Sequence, residues 1–278
     1  MICFPNAKIN LGLHVLSKRA DGYHNIETVF YPINLCDALE IVPAEEGKTV
    51  FSQTGIQIDG KPEDNLVVKA YHLLKKDYDL PEIAIYLRKE IPFGAGLGGG
   101  SSDAAFMIKL LNDFAGLNLS VAQMEAYAGR LGADCPFFIQ NKPVFAEGTG
   151  SVFSPVTISL QAYHLIVVKP SVSVSTKEAY AGVKPQQPAV SLKEVIRLPV
   201  NEWKNHLVND FEPGVFAQYP EIREIKQQLY AEGALYASMS GSGSAIFGIF
   251  DKPVQTVKVS PCSTILHFSS KNATFANN

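Results

Sequence analysis

Pro92-Phe93-Gly94-Ala95-Gly96-Leu97-Gly98-Gly99-Gly100-Ser101-Ser102-Asp103-Ala104-Ala105 is the segment that decides the fold. Its glycines and serines stand directly before a stretch whose apolar residues recur with helical spacing. Because glycine has no Cβ, successive backbone N–H groups can approach a bulky anion closely. The helix after the loop adds unpaired N-terminal N–H groups and the positive end of its dipole. The segment therefore predicts a seat for a di- or triphosphate rather than a flexible linker, which would not be flanked this closely by apolar segments.

Two familiar phosphate-binding loops fit this segment less well. Gly94-x-Gly96-x-x-Gly99 satisfies the short dinucleotide fingerprint, but the acidic residue at about the required distance, Asp113, falls inside a helical pattern instead of ending a strand. A lysine-bearing Walker loop would need a glycine at Val42, before Gly47-Lys48-Thr49. A long glycine-serine loop without a lysine remains, and its companion motifs must identify it.

Composition narrows the class of protein. With 278 residues, 46% of them hydrophobic, the chain can bury a substantial core in one large or two modest domains. A net charge of −3 without a basic cluster argues against a nucleic-acid partner, and no apolar run approaches the roughly 20 residues that span a bilayer.

No signal or transit segment is expected before the first strand. The cysteines are scattered singly, which favours ordinary packing roles and a reducing cytoplasm: Cys3, Cys36, Cys135 and Cys262. The oligomeric state stays open.

Alternating residues predict a first strand over residues 7–16. Its core face would carry the apolar side chains of Ile9, Leu11, Leu13 and Val15. Its other face would line an exposed or cleft-lining surface with a cation, an amide and an imidazole: Lys8, Asn10 and His14.

The spacing of apolar residues and the positions of turn and capping residues predict the other elements. Further strands are predicted at 27–34, 39–42, 83–88, 165–168 and 245–250. Helices are predicted at 65–76, at 104–114 with a stop at Gly116, from a capping box at Ser120 to about Leu131, and at 221–229. Asp21-Gly22 predicts a turn between strands. The second glycine-serine segment, residues 239–245, is predicted to turn over the same anion as the first.

Asp134 stands out because of its neighbours in the sequence. Pro136 disfavours helix at the preceding residue, so Asp134 is predicted at a helix-to-strand junction. A lone aspartate at such a place is usually a local cap. This one stands beside the apolar run Phe137-Phe138-Ile139, where a carboxylate needs a partner.

Taken in this order, the motifs resemble those of the GHMP kinase superfamily of small-molecule kinases. The resemblance rests on the first strand, the P-x-x-x-G-L-G-G-G-S-S loop and a late S-G-[ST]-G turn. One branch of the superfamily, whose substrate is a cytidylylated methylerythritol, is indicated by four further segments: Ala7-Lys8-Ile9-Asn10-Leu11-Gly12-Leu13, Arg19-Ala20-Asp21-Gly22-Tyr23-His24, Thr28 and Gly132-Ala133-Asp134-x-Pro136-Phe137. Residues 183–205 and 259–278 carry no signature.

The resemblance implies an α+β fold of two domains. Residues 1–155 would form an ATP-binding domain like domain 2 of ribosomal protein S5, and residues 156–278 a ferredoxin-like domain. It also implies a phosphotransferase that uses ATP with Mg²⁺ and binds the ATP phosphates through residues 92–102. No acidic metal ligand can be identified.

The resemblance further implies roles for single residues. Asp134 would take the proton of the acceptor hydroxyl, while Lys8 keeps that carboxylate ionised and counters charge on the transferring group. Asn10 would orient the hydroxyl or a phosphate oxygen. Tyr23 and His24 would hold the cytosine by stacking and an edge hydrogen bond, and Tyr180 would add a second aromatic ring. Three alternatives remain: a kinase for mevalonate, phosphomevalonate or homoserine, a non-catalytic nucleotide- or sugar-binding regulator, and a nicotinamide-dependent oxidoreductase.

Overall fold

Strands and helices are numbered in chain order in the computed structural model, which describes residues 1–45, 47–58, 60–254 and 264–269. The strands are β1 Ile2–Cys3, β2 Asn6–Lys18, β3 His24–Cys36, β4 Ala38–Pro43, β5 Val50–Gly55, β6 Ile83–Lys89, β7 Val144–Glu147, β8 Val152–Pro155, β9 His164–Lys169, β10 Tyr236–Met239, β11 Ile246–Phe250 and β12 Thr264–Ser269. The α-helices are α1 Leu66–Lys75, α2 Gly99–Phe114, α3 Val121–Gly129, α4 Phe137–Gln140, α5 Thr176–Ala181, α6 Leu192–Val195, α7 Glu212–Gln218 and α8 Pro220–Ala231. Short 3-10 turns occupy Pro62–Asp64 and Val200–Asn205.

Local capping explains where the predicted helices begin and end. The Asn65 side chain accepts a hydrogen bond from Val67 N–H at 3.0 Å and starts α1. Ser120 and Gln123 form the predicted capping box of α3. After α2, Gly116 has φ +62°, a left-handed conformation that ends helices at little cost to glycine. These helix predictions are confirmed.

The chain divides into two compact units that are discontinuous in sequence. The first unit contains Met1–Ala7, Leu35–Phe93 and Gly98–Lys142, and the second contains Lys8–Asn34, Gly94–Leu97 and the chain from Pro143 onward. The family resemblance instead implied two domains that meet at one point in the sequence, near residue 155. The two units are each made of several segments, so they do not test that boundary, which stays a prediction.

In the first unit, four strands form a sheet in the order β1-β4-β6-β5. β4 pairs antiparallel to β6, whereas β5 runs parallel to it. Helices α1 and α2 pack against each other. The core of this unit includes the buried side chains of Tyr71, Ile85, Leu87, Ile108 and Leu111.

The second unit contains two sheets. One has the order β10-β11-β9-β12, with α8 packed on β10 and β11. The other has the order β2-β3-β7-β8. A continuous core joins residues from β9, β10, β11 and α8, including Val168, Met239, Ile246, Phe250 and Leu229.

The structure corrects two expectations. Residues 137–140 form α4, so Asp134 lies in a turn between two helices and not before a strand. The backbone of Pro136, at φ −59° and ψ −31°, suits the entry to a helix, and an apolar run of three residues fits a short buried helix as well as a strand. Of the two surfaces expected for the polar face of β2, exposed or cleft-lining, the exposed one is wrong, because Lys8, Asn10 and His14 are all buried.

The predicted strands and the α8 helix are present near their expected bounds. Among the described residues, no helix has the length and apolar character needed to cross a bilayer. Cys3 and Cys135 are free thiols, and Cys262 lies outside the described residues.

Candidate functional site

Strand β2 places two of the predicted site residues side by side in the second unit. Lys8 and Asn10 alternate with the core residues of the strand and are only 3% and 2% exposed. Lys8 Nζ donates a hydrogen bond to Asn10 Oδ1 at 2.5 Å and lies 4.8 Å from the centre of the Phe30 ring. A buried ammonium needs such partners, since losing its hydration is costly.

Asn10 is held by groups that are remote in sequence. Its Nδ2 donates to Thr28 Oγ1 at 3.0 Å, and its backbone N–H donates to Ser240 Oγ at 3.3 Å. Gly12, two residues along β2, has φ +70°, and a Cβ there would lie 2.8 Å from the side chains of Leu192 and Leu207. The strand therefore bends at a position that only glycine fills without strain.

The two glycine-serine segments are in contact in the second unit, and the anion that they are predicted to share stays a prediction. Ser240 Oγ donates to Gly96 O at 2.8 Å, and Ala245 N–H donates to Ala95 O at 3.2 Å. Lys8 N–H donates to Leu97 O at 2.9 Å, so β2 also holds this loop. Residues 94–97 are thus fixed on both sides.

The loop backbone needs glycine at the positions where the sequence has it. Gly94, Gly96 and Gly98 have φ of +62°, +75° and +72°, respectively. A Cβ on Gly96 would lie 1.9 Å from Ser240 O, so glycine is required there by space as well as by conformation.

In the first unit, α2 begins at Gly99 and presents its N-terminal donors. The first backbone hydrogen bond of the helix runs from Ser102 N–H to Gly98 O at 2.9 Å. The N–H groups of Gly99, Gly100 and Ser101 precede this bond, so the helix does not pair them. Ser102 Oγ is buried and has no hydrogen-bond partner among the described residues. Unpaired N–H groups at a helix start can bind an anion, and phosphate binding at this position stays a prediction.

Asp134 lies in the turn between α3 and α4 and is half-buried. Its neighbour Cys135 is buried, and the Ser101 hydroxyl hydrogen-bonds to its thiol. This contact brings the turn that bears Asp134 to the first turn of α2. Burial raises the pKa of the Cys135 thiol to about 11, so this cysteine packs as a neutral group and is not a reactive thiolate.

Two of the three predicted cytosine contacts lie together in the second unit. The rings of His24 and Tyr180 stack with centroids 4.6 Å apart and an angle of 18°. Tyr180 also meets Phe211 edge-on at 4.8 Å. Helix α5, which carries Tyr180, begins at a capping box formed by Ser175 and Glu178. Tyr23 instead projects outward and is 67% exposed.

Sequence reasoning missed a cavity in the first unit beside the glycine loop. Its volume is about 360 Å³, within the range of small-ligand pockets, and it borders both Phe93 and Gly100. Its other lining residues are Phe51, Gln53, Gln57, Ile58, Gly60, Lys61, Pro62, Asp64, Asn65, Leu66 and Asp103. These come from several segments, and no periodicity or motif links them.

A buried charge cluster under the start of α2 was also missed. Lys89 Nζ donates to Asp37 Oδ2 and, at 2.7 Å, to Asp103 Oδ2. Asp37 Oδ1 accepts from the N–H groups of Glu90 and Ile91 at 2.6 and 2.9 Å. Burial raises the pKa of the Asp103 carboxyl to about 8; Lys89 opposes the shift and Asp37 adds to it. Asp103 directly follows the serine pair, which is the one sequence signal that pointed toward it.

The sequence leaves the ligands of Mg²⁺ unassigned. Within the described parts of the chain, no group of three or more His, Cys, Asp or Glu side chains is arranged to hold a metal ion. Two buried side-chain atoms in the first turn of α2 have no hydrogen-bond partner among the described residues, Ser102 Oγ and Asp103 Oδ1. Either oxygen fits a cation, and the Ser102 hydroxyl also fits a phosphate oxygen.

The fold and the two glycine-serine segments match those of a known family of kinases. The family model described as "GHMP kinases N terminal domain" matches residues 65–142, and "GHMP kinases C terminal" matches residues 192–259. The chain belongs to the GHMP kinase family, and it is a small-molecule kinase with the two-domain fold of that family, which mixes helices and sheets.

Two relatives and one solved structure are similar to this chain over most of its length. A Parabacteroides distasonis protein named 4-diphosphocytidyl-2-C-methyl-D-erythritol kinase is 62% identical over 253 residues, covering 91% of this chain and 93% of the relative. A protein of the same name from Bacteroides fragilis strain ATCC 25285 is 59% identical over 261 residues, covering 93% and 95%. The crystal structure of a 4-(cytidine 5'-diphospho)-2C-methyl-D-erythritol kinase matches with a TM-score of 0.77 and 32% identity over 90% of each chain.

A more distant solved structure shares the fold alone. Mevalonate kinase from Methanococcus jannaschii matches with a TM-score of 0.67 at 13% identity over 90% of each chain. The two family models, the relatives at 59–62% identity and the similar crystal structure confirm the predicted family, enzyme class and two-domain fold. The roles of individual residues and the S5-like and ferredoxin-like descriptions stay predictions.

Proposed function

We propose that this protein transfers the γ-phosphoryl group of ATP to the 2-hydroxyl of 4-diphosphocytidyl-2-C-methyl-D-erythritol, in the non-mevalonate synthesis of isoprenoid precursors. The observation that carries the proposal is the identity of 59–62% to proteins of that kinase's name over more than nine tenths of each chain. The motif Asp21-Gly22-Tyr23-His24 supports the same substrate, since it supplies two rings for a nucleobase.

ATP would be held by the glycine loop and the cavity beside it. The backbone donors of Gly99, Gly100 and Ser101 would bind phosphate oxygens, favoured by the dipole of α2. The cavity of about 360 Å³ borders Gly100 and Phe93, and its size suits a nucleoside. The nucleoside of ATP is therefore assigned to this cavity.

ATP would enter as its Mg²⁺ complex. When bound, the ion neutralises phosphate charge and supports the in-line geometry of transfer. Of the residues described here, Ser102 and Asp103 are the candidate ligands, because Ser102 Oγ and Asp103 Oδ1 are buried, have no hydrogen-bond partner there and lie in the first turn of α2.

The cytidine end of the acceptor would bind near the β2–β3 turn. Tyr23 offers an exposed ring for stacking on the base. His24 has two ring nitrogens for the base edge and is steadied by its stack on Tyr180. Tyr180 would thus act on the base both directly and through the orientation of His24.

Phosphoryl transfer requires mainly that the protein align the reacting groups and neutralise the charge of the phosphates. Asp134 would accept the proton of the acceptor hydroxyl as the oxygen attacks the γ-phosphorus. Lys8 would stabilise the charge on the transferring group, and Asn10 would hold Lys8 through the hydrogen bond at 2.5 Å. These roles rest on the family resemblance and on the local contacts of each residue.

The substrate is tested by measuring ATP-dependent phosphorylation of a panel of alcohols. The panel contains the cytidylylated methylerythritol, mevalonate, phosphomevalonate and homoserine, with ADP release followed by a coupled assay and products identified by mass spectrometry. We expect one phosphorylated product, from the cytidylylated substrate. Turnover of another alcohol alone would contradict the proposal, and nucleotide binding without any product would indicate a regulator.

The residue roles are tested by Lys8→Ala and Asp134→Asn. We expect each substitution to lower kcat at least about 100-fold while the Kd for ATP stays within a few-fold, because each removes a group that acts in the transition state. Matched controls are Lys18→Ala, at the exposed end of β2, and Asp113→Asn, on the exposed face of α2. Near-normal kcat in both test variants would remove Lys8 and Asp134 from the mechanism.

The cytoplasm is the location that fits this function. Its support is the free thiols of Cys3 and Cys135, which suit a reducing compartment.

A further inference from the structure

Thr28 lies at the centre of the polar network behind Lys8. Its side chain, on β3, is fully buried. Its Oγ1 donates to Gly12 O at 2.5 Å and accepts from Asn10 Nδ2 at 3.0 Å. Gly12 O has no hydrogen to give, so it must be the acceptor of that first bond. The single hydroxyl hydrogen of Thr28 is therefore committed to Gly12, and only its lone pairs face Asn10.

This commitment sets the orientation of the Asn10 amide. An amide group can turn over about its last side-chain bond, which exchanges its oxygen and its NH₂ group. Next to a hydroxyl that can only accept, the NH₂ group must face Thr28. The amide oxygen then faces Lys8 Nζ, 2.5 Å away. The reversed amide would direct two N–H donors at an ammonium and bring two acceptors together at Thr28.

Ser240 is a further neighbour of Asn10 in this polar network. Its hydroxyl donates to Gly96 O at 2.8 Å and lies 3.5 Å from Asn10 Oδ1. Its oxygen accepts the backbone N–H of Asn10 at 3.3 Å. The shorter contact to Gly96 takes the hydroxyl hydrogen, so Ser240 does not compete strongly with Lys8 for the amide oxygen.

We propose that Thr28 is a positioning residue for phosphoryl transfer: its hydroxyl, fixed by the bent strand at Gly12, orients the Asn10 amide so that Asn10 aims the Lys8 ammonium. This inference rests on the proposed function, in which Lys8 acts on the transferring group. It assigns Thr28 no contact with substrate. The bend at Gly12, at φ +70°, contributes to this positioning, because the Gly12 carbonyl accepts the hydrogen bond from the Thr28 hydroxyl.

The test is a double-mutant cycle between Thr28 and Asn10. Thr28→Val removes the hydroxyl at nearly constant volume, and Thr28→Ser keeps it. We expect Thr28→Val to lower kcat at least tenfold with the KM for ATP within twofold of wild type, and Thr28→Ser to retain most of the turnover. In an Asn10→Ala background, Thr28→Val should cause no further loss, because the residue it acts through is gone.

Two outcomes would overturn the proposal. One is an equal loss from Thr28→Val in both backgrounds, which would mean that Thr28 acts through Gly12 or through general stability. The other is a kcat for Thr28→Val within twofold of wild type. Melting temperatures are measured for each variant. If Thr28→Val does not fold, Thr28→Ala replaces it in the same cycle, again compared with Thr28→Ser.

A second readout separates this inference from the proposed function. The ¹³Cε–¹H NMR signal of Lys8, assigned by its loss in Lys8→Arg, reports the setting of the ammonium without any substrate. We expect Thr28→Val to shift or broaden this signal and Thr28→Ser to leave it in place. An unchanged signal in Thr28→Val would overturn the inference even in an active enzyme. If the wild-type protein does not phosphorylate the cytidylylated alcohol, the proposed function fails while the NMR result still judges Thr28.

Discussion

Tyr23 has an exposed ring on a fixed backbone. The side chain is 67% exposed, while the backbone N–H donates to Asp21 Oδ1 at 3.0 Å. A base that stacks on such a ring gains contact area without ordering the turn, and stacking of this kind contributes about 1–3 kcal/mol per base. We expect Tyr23→Ala to raise the KM for the cytidylylated alcohol about tenfold and to lower kcat much less. Steady-state kinetics with ATP at saturation measures both constants.

Tyr86→Ala is the matched control for that substitution. Tyr86 lies on β6 in the first unit and is 45% exposed, so its loss also removes a surface ring. We expect its KM to equal that of wild type. If Tyr23→Ala leaves KM unchanged as well, Tyr23 is only a surface residue flanking a turn.

Single residues show clearly what the sequence could reveal about the candidate site. Alternation along β2 predicted that Lys8 and Asn10 share a face, because the period of a strand fixes that much. Their partners Thr28 and Ser240 stand 18 and 230 positions from Asn10, and no local pattern links residues at such distances. For the same reason, the stack of His24 on Tyr180 emerged only from the folded chain.

At the scale of the element, two glycines of the loop differ in the space around them. Gly96 and Gly94 both have positive φ, so alanine at either position meets the left-handed strain of about 1–2 kcal/mol. Only at Gly96 would the new Cβ also lie 1.9 Å from Ser240 O; at Gly94 nothing lies within 4 Å. We expect Gly96→Ala to weaken ATP binding at least tenfold and to lower the melting temperature. Gly94→Ala should do markedly less of both.

The comparison of these two alanine variants isolates packing from backbone strain. ATP binding is measured by calorimetry and the melting temperature by circular dichroism. Equal effects of the two substitutions would mean that the contact between the two glycine-serine segments contributes nothing beyond the loop conformation. A larger effect at Gly94 would argue that the exposed side of the loop is the part that meets the nucleotide.

Long periodic elements were predictable and short ones were not. Helix α2 and strand β2 repeat their pattern over several turns or alternations, and their caps and turns agree with the pattern. Helix α4 and strands β7 and β8 have four residues each, too few for a period to show. The wrong strand prediction after Asp134 has this origin, since tertiary burial decided the conformation of Phe137-Phe138-Ile139.

At the scale of the whole molecule, the net charge of −3 conceals charges that are buried. Composition argues against a nucleic-acid partner, but it could not show that Lys89 is shared by two buried carboxylates. With Asp37 and Asp103 both ionised, this cluster carries one uncompensated negative charge away from water. Burying such a charge is unfavourable, and the raised pKa of Asp103, about 8, expresses that cost.

The raised pKa makes the stability of the whole chain depend on pH with a definite sign. In the unfolded chain, an aspartate ionises near pH 4, whereas the folded protein keeps the Asp103 proton up to about pH 8. Between these values the folded state binds more protons, so this group lowers the free energy of unfolding as pH rises, by at most about 1.4 kcal/mol per pH unit. Asp103→Asn removes the titration and leaves Lys89 paired with Asp37 alone.

We therefore expect the free energy of unfolding of Asp103→Asn, relative to wild type, to rise steadily from pH 5 to pH 8. Urea denaturation at several pH values measures it, and titrations common to both proteins cancel in the difference. Asp113→Asn, on the exposed face of the same helix, should show a difference that is constant over this range. A constant difference for Asp103→Asn too would mean that Lys89 keeps both carboxylates ionised across the whole range.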